Sequence, residues 1–364
     1  MDSRIREHAE ILVDDCAEVE AGDQVAIVAH PAAEDLVVAV AELVGERGGV
    51  VSTSLGTART RRAHKLAADE ETLSQENEMA RSKYEAADAV VQIRGERNLN
   101  ETSDVPPEKN ATSSKANQAV QEALLDSRWV LTQWPSSGYA QKAEMSTEAY
   151  EEFVWNAVNK DWNAVREHQA QLVELLDPAE EVRIVSGDTT DVRMSVAGNH
   201  AKNDADDNNM PGGEVFTAPV VDSVEGEVLF DKPVLIQGRE VLDVRLVFEG
   251  GEVVEHEATK NEALLTSLLE TDEGSSRLGE LGIGMNRDID RFTSNMLFDE
   301  KMGDTVHMAI GRAYEETVGE DNECNESTVH EDMIVDMSED SRIEFDGEVV
   351  QEDGTFVFEP GFED

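Results

Sequence analysis

Cysteine, long apolar runs and positive charge are all scarce in this sequence. Its two cysteines, Cys16 and Cys324, lie far apart and form neither a metal-binding nor a redox spacing, which indicates a reducing compartment. No apolar run approaches the roughly 20 residues of a membrane span, and the amino-terminal MDSRIREHAE is charged where a signal peptide has an apolar core. We therefore expect a soluble cytoplasmic protein.

Two nucleotide-binding motifs and one zinc motif are also missing. No GxGxxG follows the first predicted strand and no GxxxxGK occurs, so the sequence gives little support to nucleotide binding. The segment HED at 330–332 has no second histidine four positions after His330, which excludes the HExxH zinc helix.

The basic residues are far outnumbered by acidic ones. The chain has 80 Asp and Glu against 30 Lys and Arg, for a net charge of −50. Such a charge opposes binding to nucleic acid and to anionic membranes, because both carry negative phosphates. The acidic residues are spread along the whole chain, unlike those of a disordered acidic tail. Adaptation of the surface to high salt, where repulsion is screened, accounts for this composition without any catalytic role.

The first half of the chain alternates strand and helix patterns. Short apolar runs predict buried strands at 24–30, 50–55, 87–95 and 128–134, with helical patterns between them. This βαβ succession predicts an α/β layer with a largely parallel sheet. The polar stretch from Asn98 to Ser114 is predicted to be an exposed loop, and one long helix is predicted from about Thr147 to Leu176.

From Asp177-Pro178 onward, strand patterns dominate. Apolar and polar residues alternate in several segments, and EGGE at 249–252 predicts a hairpin turn. A helix is predicted at 261–271 and a final hairpin near the carboxyl terminus. We therefore predict two domains, an N-terminal α/β domain at 1–178 and a C-terminal strand-rich α+β domain at 179–364 that binds metal.

Potential metal ligands are concentrated in the second half. Carboxylate, imidazole and phenol groups lie among glycines and apolar residues at Glu280, Glu300, His307, Tyr314, His330 and Asp332. Carboxylate oxygen and imidazole nitrogen suit divalent Zn, Co or Mn, and one carboxylate can bridge two ions. His330 and Asp332 stand two apart in a strand-like segment and so share a face. The alternative is a solvated surface pair and, for His307, a core histidine without a ligand role.

Four sequence blocks carry a resemblance to a known family. Between residues 208 and 336 the chain contains, in order, NMPGGEVFTAP, ELGIGMN, LFDEKMGDTVHMAIGRAY and NESTVHEDMIVD. These blocks resemble the M29 family of metal-dependent aminopeptidases, the group of aminopeptidase T and aminopeptidase S, in a haloarchaeal-like form. The resemblance implies a homodimeric exopeptidase that acts on peptides and uses two divalent ions per subunit.

The resemblance also implies roles for individual residues. The implied metal ligands are Glu214, Glu280, His307, His330 and Asp332. Tyr314 would stand near the metals and donate a hydrogen bond to the oxyanion, and Glu280 or Glu300 would shuttle a proton to the leaving amine. PGGE replaces the acidic pair of PTEE that many members carry, which leaves open which glutamate is the base.

Two other functions remain possible on the residues alone. A metal-dependent hydrolase of another amide or of an ester would need the same ligands. A non-catalytic acidic protein would bind a structural ion without turnover.

Overall fold

Helices and strands alternate in the first part of the chain, and strands dominate the rest. The structure is a computed structural model that describes residues 2–236 and 238–362. Its α-helices are α1 (Ser3–Glu10), α2 (Glu34–Arg47), α3 (Ala58–Ala67), α4 (Glu70–Leu73), α5 (Glu78–Glu85), α6 (Pro107–Ala116), α7 (Gln118–Leu125), α8 (Ser137–Lys142), α9 (Thr147–Val158), α10 (Trp162–Leu176), α11 (Glu262–Leu269) and α12 (Met296–Asp299). Within the described ranges, no helix is both long and apolar enough to cross a membrane.

The strands are short and most lie in three larger sheets. They are β1 (Gln24–Ala29), β2 (Val50–Leu55), β3 (Ala89–Arg94), β4 (Arg128–Gln133), β5 (Glu181–Ser186), β6 (Thr190–Ser195), β7 (Lys202–Asp204), β8 (Asn209–Met210), β9 (Glu214–Thr217), β10 (Glu225–Phe230), β11 (Val234–Ile236), β12 (Arg239–Val241), β13 (Val244–Glu249), β14 (Glu252–Glu257), β15 (Leu278–Gly284), β16 (Thr305–Gly311), β17 (His330–Asp336), β18 (Ser341–Phe345), β19 (Glu348–Glu352) and β20 (Thr355–Phe356).

The chain forms two compact units. Unit 1 comprises Met1–Lys160 and Asp206–Pro211, and unit 2 comprises Asp161–Ala205 and Gly212–Asp364. The boundary expected near residue 178 thus lies just beyond helix α10, inside unit 2.

Unit 1 is built on a parallel sheet. Its strand order is β2-β1-β3-β4-β8, and every neighbouring pair runs parallel. The apolar runs that predict the strands are buried in β1 and β3, whereas β2 at the edge is largely exposed. The predicted α/β class with a largely parallel sheet is therefore confirmed.

The prediction of an exposed loop from Asn98 to Ser114 is wrong in its second half. Helix α6 begins at Pro107, after Pro106, and continues to Ala116. Proline is tolerated in the first turn of a helix, because the backbone N–H that it lacks has no partner there. The two prolines therefore mark a helix start inside a stretch whose polarity indicates a loop.

The prediction of one long helix from Thr147 to Leu176 is also wrong. Helix α9 ends at Val158, and α10 begins at Trp162. The Asp161 carboxylate accepts a hydrogen bond from the backbone N–H of Ala164 at 3.1 Å and so caps the second helix. A single polar capping residue is a weak signal of a helix boundary within a continuous helical pattern.

A buried histidine in unit 1 should make stability depend on pH. The His8 side chain is fully buried, with Nε2 2.9 Å from Thr132 Oγ1 and its ring edge-on to Trp155. Burial lowers the pKa of His8 from 6.5 to about 3. Between pH 6.5 and about pH 3, His8 therefore binds a proton in the unfolded chain but not in the folded chain. This contribution to stability is complete above pH 6.5 and is lost as the pH falls.

His8→Gln should flatten the loss of stability on acidification. Between about pH 6 and about pH 4 the free energy of unfolding of the wild type should fall more steeply than that of the variant, by up to about 1.4 kcal/mol per pH unit. Urea unfolding followed by tryptophan fluorescence at a series of pH values measures this difference. His64→Gln, at an exposed position of α3, serves as the control. Parallel pH profiles for the wild type and His8→Gln would contradict the assignment.

Unit 2 contains two larger antiparallel sheets that share one hydrophobic cluster. Among the described residues their strand orders are β14-β13-β10-β6-β5-β18-β19-β20 and β17-β16-β15-β9-β7. The predicted EGGE hairpin is confirmed as β13–β14, with Gly250 and Gly251 at φ 56° and 79°. A two-residue turn of this kind needs positive φ at both central residues, which glycine adopts without strain. The predicted helix at 261–271 and the final hairpin are also present, as α11 and β18–β19.

Candidate metal centre

Polar and apolar residues alternate along the central strands of the five-stranded sheet in unit 2. In β15, Leu281 and Ile283 belong to the hydrophobic cluster. Side chains alternate along a strand, so Glu280 and Gly282 point to the opposite face. The apolar residues on either side of His307 in β16 belong to the same cluster. One face of this sheet is therefore core, and the other face carries the polar groups.

Strand register aligns the polar groups of three strands. Glu280 of β15 lies opposite Ala309 of β16, and Ala309 lies opposite Asp332 of β17. His330, two residues before Asp332, shares its face. The small side chain of Ala309 leaves space between the two carboxylates.

The position of His307 depends on a glycine in the neighbouring strand. His307 lies opposite Gly282, and a Cβ added to Gly282 would stand 2.0 Å from the imidazole ring. No side chain tolerates a contact of that length, so only glycine lets the ring lie across β15. The need for space beside the His307 ring explains why glycine stands at position 282, two residues after Glu280 in ELGIG.

A first group of metal donors consists of Glu214, Glu280 and His307. All three are buried, and one ligand atom of each lies within 4.8 Å of the others. His307 Nε2 lies 3.1 Å from Glu214 Oε2 and 3.2 Å from Glu280 Oε1. A single ring nitrogen thus faces two carboxylate oxygens, an arrangement that favours a cation between them.

A second group consists of Glu280, His330 and Asp332. Their ligand atoms again lie within 4.8 Å of one another. His330 Nδ1 lies 2.8 Å from the carbonyl oxygen of Arg312 and can only donate a proton to it. In the neutral ring this leaves the lone pair on Nε2, which is 3.5 Å from Glu280 Oε2 and 3.7 Å from Asp332 Oδ1.

The chemistry of these donors fits divalent cations. Three buried carboxylate oxygens of the two groups have no hydrogen bond: Glu214 Oε2, Glu280 Oε2 and Asp332 Oδ1. Buried polar atoms are rarely left unpaired in proteins. Imidazole nitrogen with carboxylate oxygen is the donor set of Zn, Co and Mn sites. A metal-binding role therefore accounts for carboxylate oxygens that face histidine nitrogens without forming a hydrogen bond.

Burial and mutual charge perturb the acid–base behaviour of the cluster. Burial raises the pKa of Glu214 to about 8, although the positive charges of Lys301 and His307 oppose the shift. Burial also acts to raise the pKa of Glu280, but the hydrogen bond and charge of His307 outweigh it and hold the pKa below its usual value. Burial acts to lower the pKa of His307, and the surrounding carboxylates raise it to about 10. Such perturbed groups in one cluster are typical of functional sites.

Glu300 and Tyr314 lie beside the two donor groups but belong to neither. Glu300 follows the short helix α12, and Tyr314 follows strand β16. The Tyr314 ring packs against His330 with ring centroids 5.1 Å apart. Partial burial and the charges of Glu280, Asp332 and Glu300 raise the pKa of Tyr314, so its hydroxyl stays protonated.

Residues 1–361 match the sequence model of the thermophilic metalloprotease (M29) family. The chain belongs to this family. The assignment that the four blocks predict is thus confirmed. The family is described as one of metalloproteases, and the two donor groups of this M29 chain are consistent with a metal-dependent family.

Relatives of this M29 chain include several aminopeptidases. It is 38% identical over 159 residues to aminopeptidase T of Thermus aquaticus, covering 41% of this chain and 38% of the relative. It is 39% identical over 142 residues to aminopeptidase AmpS of Bacillus subtilis, covering 35% and 34%. These two alignments therefore span well under half of the relatives' length.

Solved structures extend the likeness to nearly the whole M29 chain. AmpT from Thermus thermophilus superimposes with a TM-score of 0.86 at 25% identity, covering 98% of this chain and 99% of that one. A 2,5-dihydroxypyridine dioxygenase from Pseudomonas putida KT2440 superimposes with a TM-score of 0.62 at 16% identity, covering 98% and 97%. The second likeness shows a shared fold alone.

The structure adds a buried lysine that the four blocks do not single out. Lys301 Nζ lies 2.6 Å from Asp204 Oδ2 and 3.3 Å from Glu300 Oε1, and it also pairs with Glu214 Oε1. Strand pairing places Asp204 directly opposite Glu214, where like charges destabilise a sheet unless a cation lies between them. Asp204 stands in the acidic stretch NDADDNN and Lys301 in a polar DEK sequence, so neither carries a signal of burial.

Proposed function

We propose that this chain is a metal-dependent aminopeptidase that holds two divalent ions per subunit, Zn, Co or Mn, and releases N-terminal amino acids from peptides. The observation that carries the proposal is the position of Glu280. It belongs to both donor groups, and its two oxygens face different histidines, Oε1 towards His307 and Oε2 towards His330. A carboxylate placed in this way suits a ligand shared by two ions.

One ion would be held by Glu214 and His307, and the other by His330 and Asp332. Glu280 would contribute a ligand to each ion. Ions bound there would lower the pKa of water and polarise the scissile carbonyl. Glu300 is the better candidate for the proton carrier, because it lies at the cluster without belonging to either donor group. The Tyr314 hydroxyl, protonated and adjacent to His330, would donate a hydrogen bond to the developing oxyanion.

Substrates with a free amino terminus should be cleaved, and their N-acetylated versions should not. The buried carboxylates of Glu214 and Asp332 suit a substrate ammonium, whereas an acetylated terminus would leave a desolvated carboxylate unpaired. Rejection of a ligand that leaves a buried polar group unpaired reaches roughly 10⁴-fold. Hydrolysis of leucyl amide and N-acetyl-leucyl amide after addition of cobalt or zinc measures the ratio.

The same assay separates this function from its alternatives. Comparable rates on free and acetylated substrates would overturn the exopeptidase assignment and favour a metal-dependent hydrolase of another amide or of an ester. Bound metal without turnover on any aminoacyl, N-blocked or ester substrate would favour a non-catalytic metal-binding protein.

We also propose that the protein is a cytoplasmic homodimer adapted to high salt. Adaptation to high salt is supported by the net charge of −50, whose self-repulsion is relieved by ionic screening. Size-exclusion chromatography with light scattering in concentrated KCl tests the dimer.

The melting temperature should rise steeply with salt. From about 0.1 M to about 3 M KCl we expect an increase of about 10 °C or more, equivalent to a few kcal/mol of stabilisation. Differential scanning fluorimetry measures it, and a sucrose series of equal osmolality separates screening from solute exclusion. A melting temperature that is the same at low and molar KCl would contradict salt adaptation.

A further inference from the structure

Unit 1 contains arginines that have no carboxylate partner despite the excess of acidic residues. Across residues 2–236 and 238–362, Arg59, Arg94 and Arg97 form no ion pair, although the chain has 80 acidic residues. The segment from Arg47 to Ala68 contains no Asp or Glu. This part of unit 1 is therefore positively charged in a protein whose net charge is strongly negative.

A cavity of about 240 Å³ lies at the carboxyl ends of strands β1 and β3. In the strand order β2-β1-β3-β4, β1 lies between β2 and β3. The connection after β1 leads to β2 on one side of it, and the connection after β2 leads to β3 on the other side. In open parallel sheets, ligands bind at this switch point, outside the carboxyl ends of the strands. The cavity thus occupies the position where this architecture provides a binding site.

The cavity is lined by hydrogen-bond donors. His30, Arg61, Gln92 and Arg94 contribute to its wall, and Glu96 is its one acidic residue. His30 Nδ1 accepts a hydrogen bond from the backbone N–H of Ala32 at 3.0 Å, so the neutral ring carries its proton on Nε2.

The charge balance of the cavity is positive. Glu96 pairs with Arg61 at 3.3 Å, which leaves the charge of Arg94 uncompensated. Arg97 adds a second positive charge near His30. A guanidinium that faces a concave site without a protein carboxylate is the usual donor for a planar or tetrahedral oxyanion.

We propose that this cavity binds an oxyanion, the carboxylate or phosphate group of a small ligand, through Arg61 and Arg94 with the His30 imidazole as a further donor. The site lies wholly within unit 1 and does not depend on the metal centre of unit 2. Its volume is several times the roughly 30 Å³ that one water takes up in the liquid, enough for an oxyanion and the small group that carries it.

Isothermal titration with inorganic phosphate and with acetate, at constant ionic strength set by KCl, tests the proposal. We expect one saturable event with at least one of the two anions, weakened about tenfold or more in Arg94→Gln. Arg59→Gln is the matched control, because it removes the same charge from the neighbouring helix α3 at a residue that does not line the cavity. It should bind within about twofold of the wild type.

The outcomes separate the possible anion sources. Saturation by phosphate alone indicates a phosphate-bearing ligand, and saturation by acetate indicates a carboxylate. Phosphate binding that keeps the wild-type affinity in Arg94→Gln would place the anion outside this cavity and overturn the proposal. No saturable event, equal affinity in the wild type and Arg94→Gln, or equal weakening in Arg59→Gln would overturn the proposal. Should Arg94→Gln fail to fold, Arg61→Gln, at a side chain that is 58% exposed, must show the same loss.

Discussion

Glu280→Gln should release together both of the metal ions that we propose for this chain. The substitution keeps the shape of the side chain and removes the charge that both donor groups share. Glutamine offers one neutral oxygen in place of two anionic ones, so neither group retains its full set of ligands. An ion that polarises a substrate carbonyl contributes several kcal/mol to the transition state. Aminopeptidase activity should therefore fall by roughly 10³-fold or more.

Asp332→Asn is the matched comparison for this prediction. Asp332 belongs only to the group with His330, so its replacement should cost one ion and leave the other with Glu214, Glu280 and His307. Metal analysis of the purified variants should give about zero ions per chain for Glu280→Gln and about one for Asp332→Asn, against about two for the wild type. Full occupancy in Glu280→Gln, or the same content in both variants, would show that Glu280 does not bridge two ions.

The ligand-bearing strands could be read from the sequence because they alternate with period two. In ELGIG and TVHMAIG, every second residue is apolar and enters the core, which leaves the carboxylate and imidazole on one face. The sequence could not show which strands are neighbours. The grouping of the ligands depends on the pairing of the strands, whose register places Glu280 opposite Ala309 and Ala309 opposite Asp332.

Charges that are buried by tertiary contacts could not be predicted. Lys301 is only 1% exposed, yet it follows two acidic residues in a stretch that is polar by composition. Its burial depends on Asp204, which is 97 residues away in the chain. No local pattern reports such a contact, because the periodicity of a segment reflects its own faces and not its distant partners. The break between the two helices at Asp161 has only a weak local signal, since one capping residue stands against thirty residues of helical pattern.

Lys301→Met should strongly destabilise unit 2. Removing the ammonium leaves the buried carboxylate of Glu214 and the partly buried carboxylates of Asp204 and Glu300 without their cation. Breaking a buried ion pair from one side costs about 3–5 kcal/mol, because the remaining charge is left desolvated. For a unit of this size that corresponds to a fall in melting temperature of roughly 6–20 °C. Differential scanning fluorimetry in concentrated KCl measures it.

Two further variants distinguish charge compensation from simple packing. Lys301→Arg keeps the positive charge and should lose much less stability than Lys301→Met. Adding Asp204→Asn to Lys301→Met removes one of the unpaired carboxylates, so the double variant should be more stable than Lys301→Met alone. Lys301 also engages Glu214 Oε1 and leaves Oε2 towards His307. Lys301→Met should therefore weaken metal binding in the Glu214 group more than in the group with Asp332. Equal melting temperatures for Lys301→Met and the wild type would mean that the buried carboxylates are neutralised without the lysine.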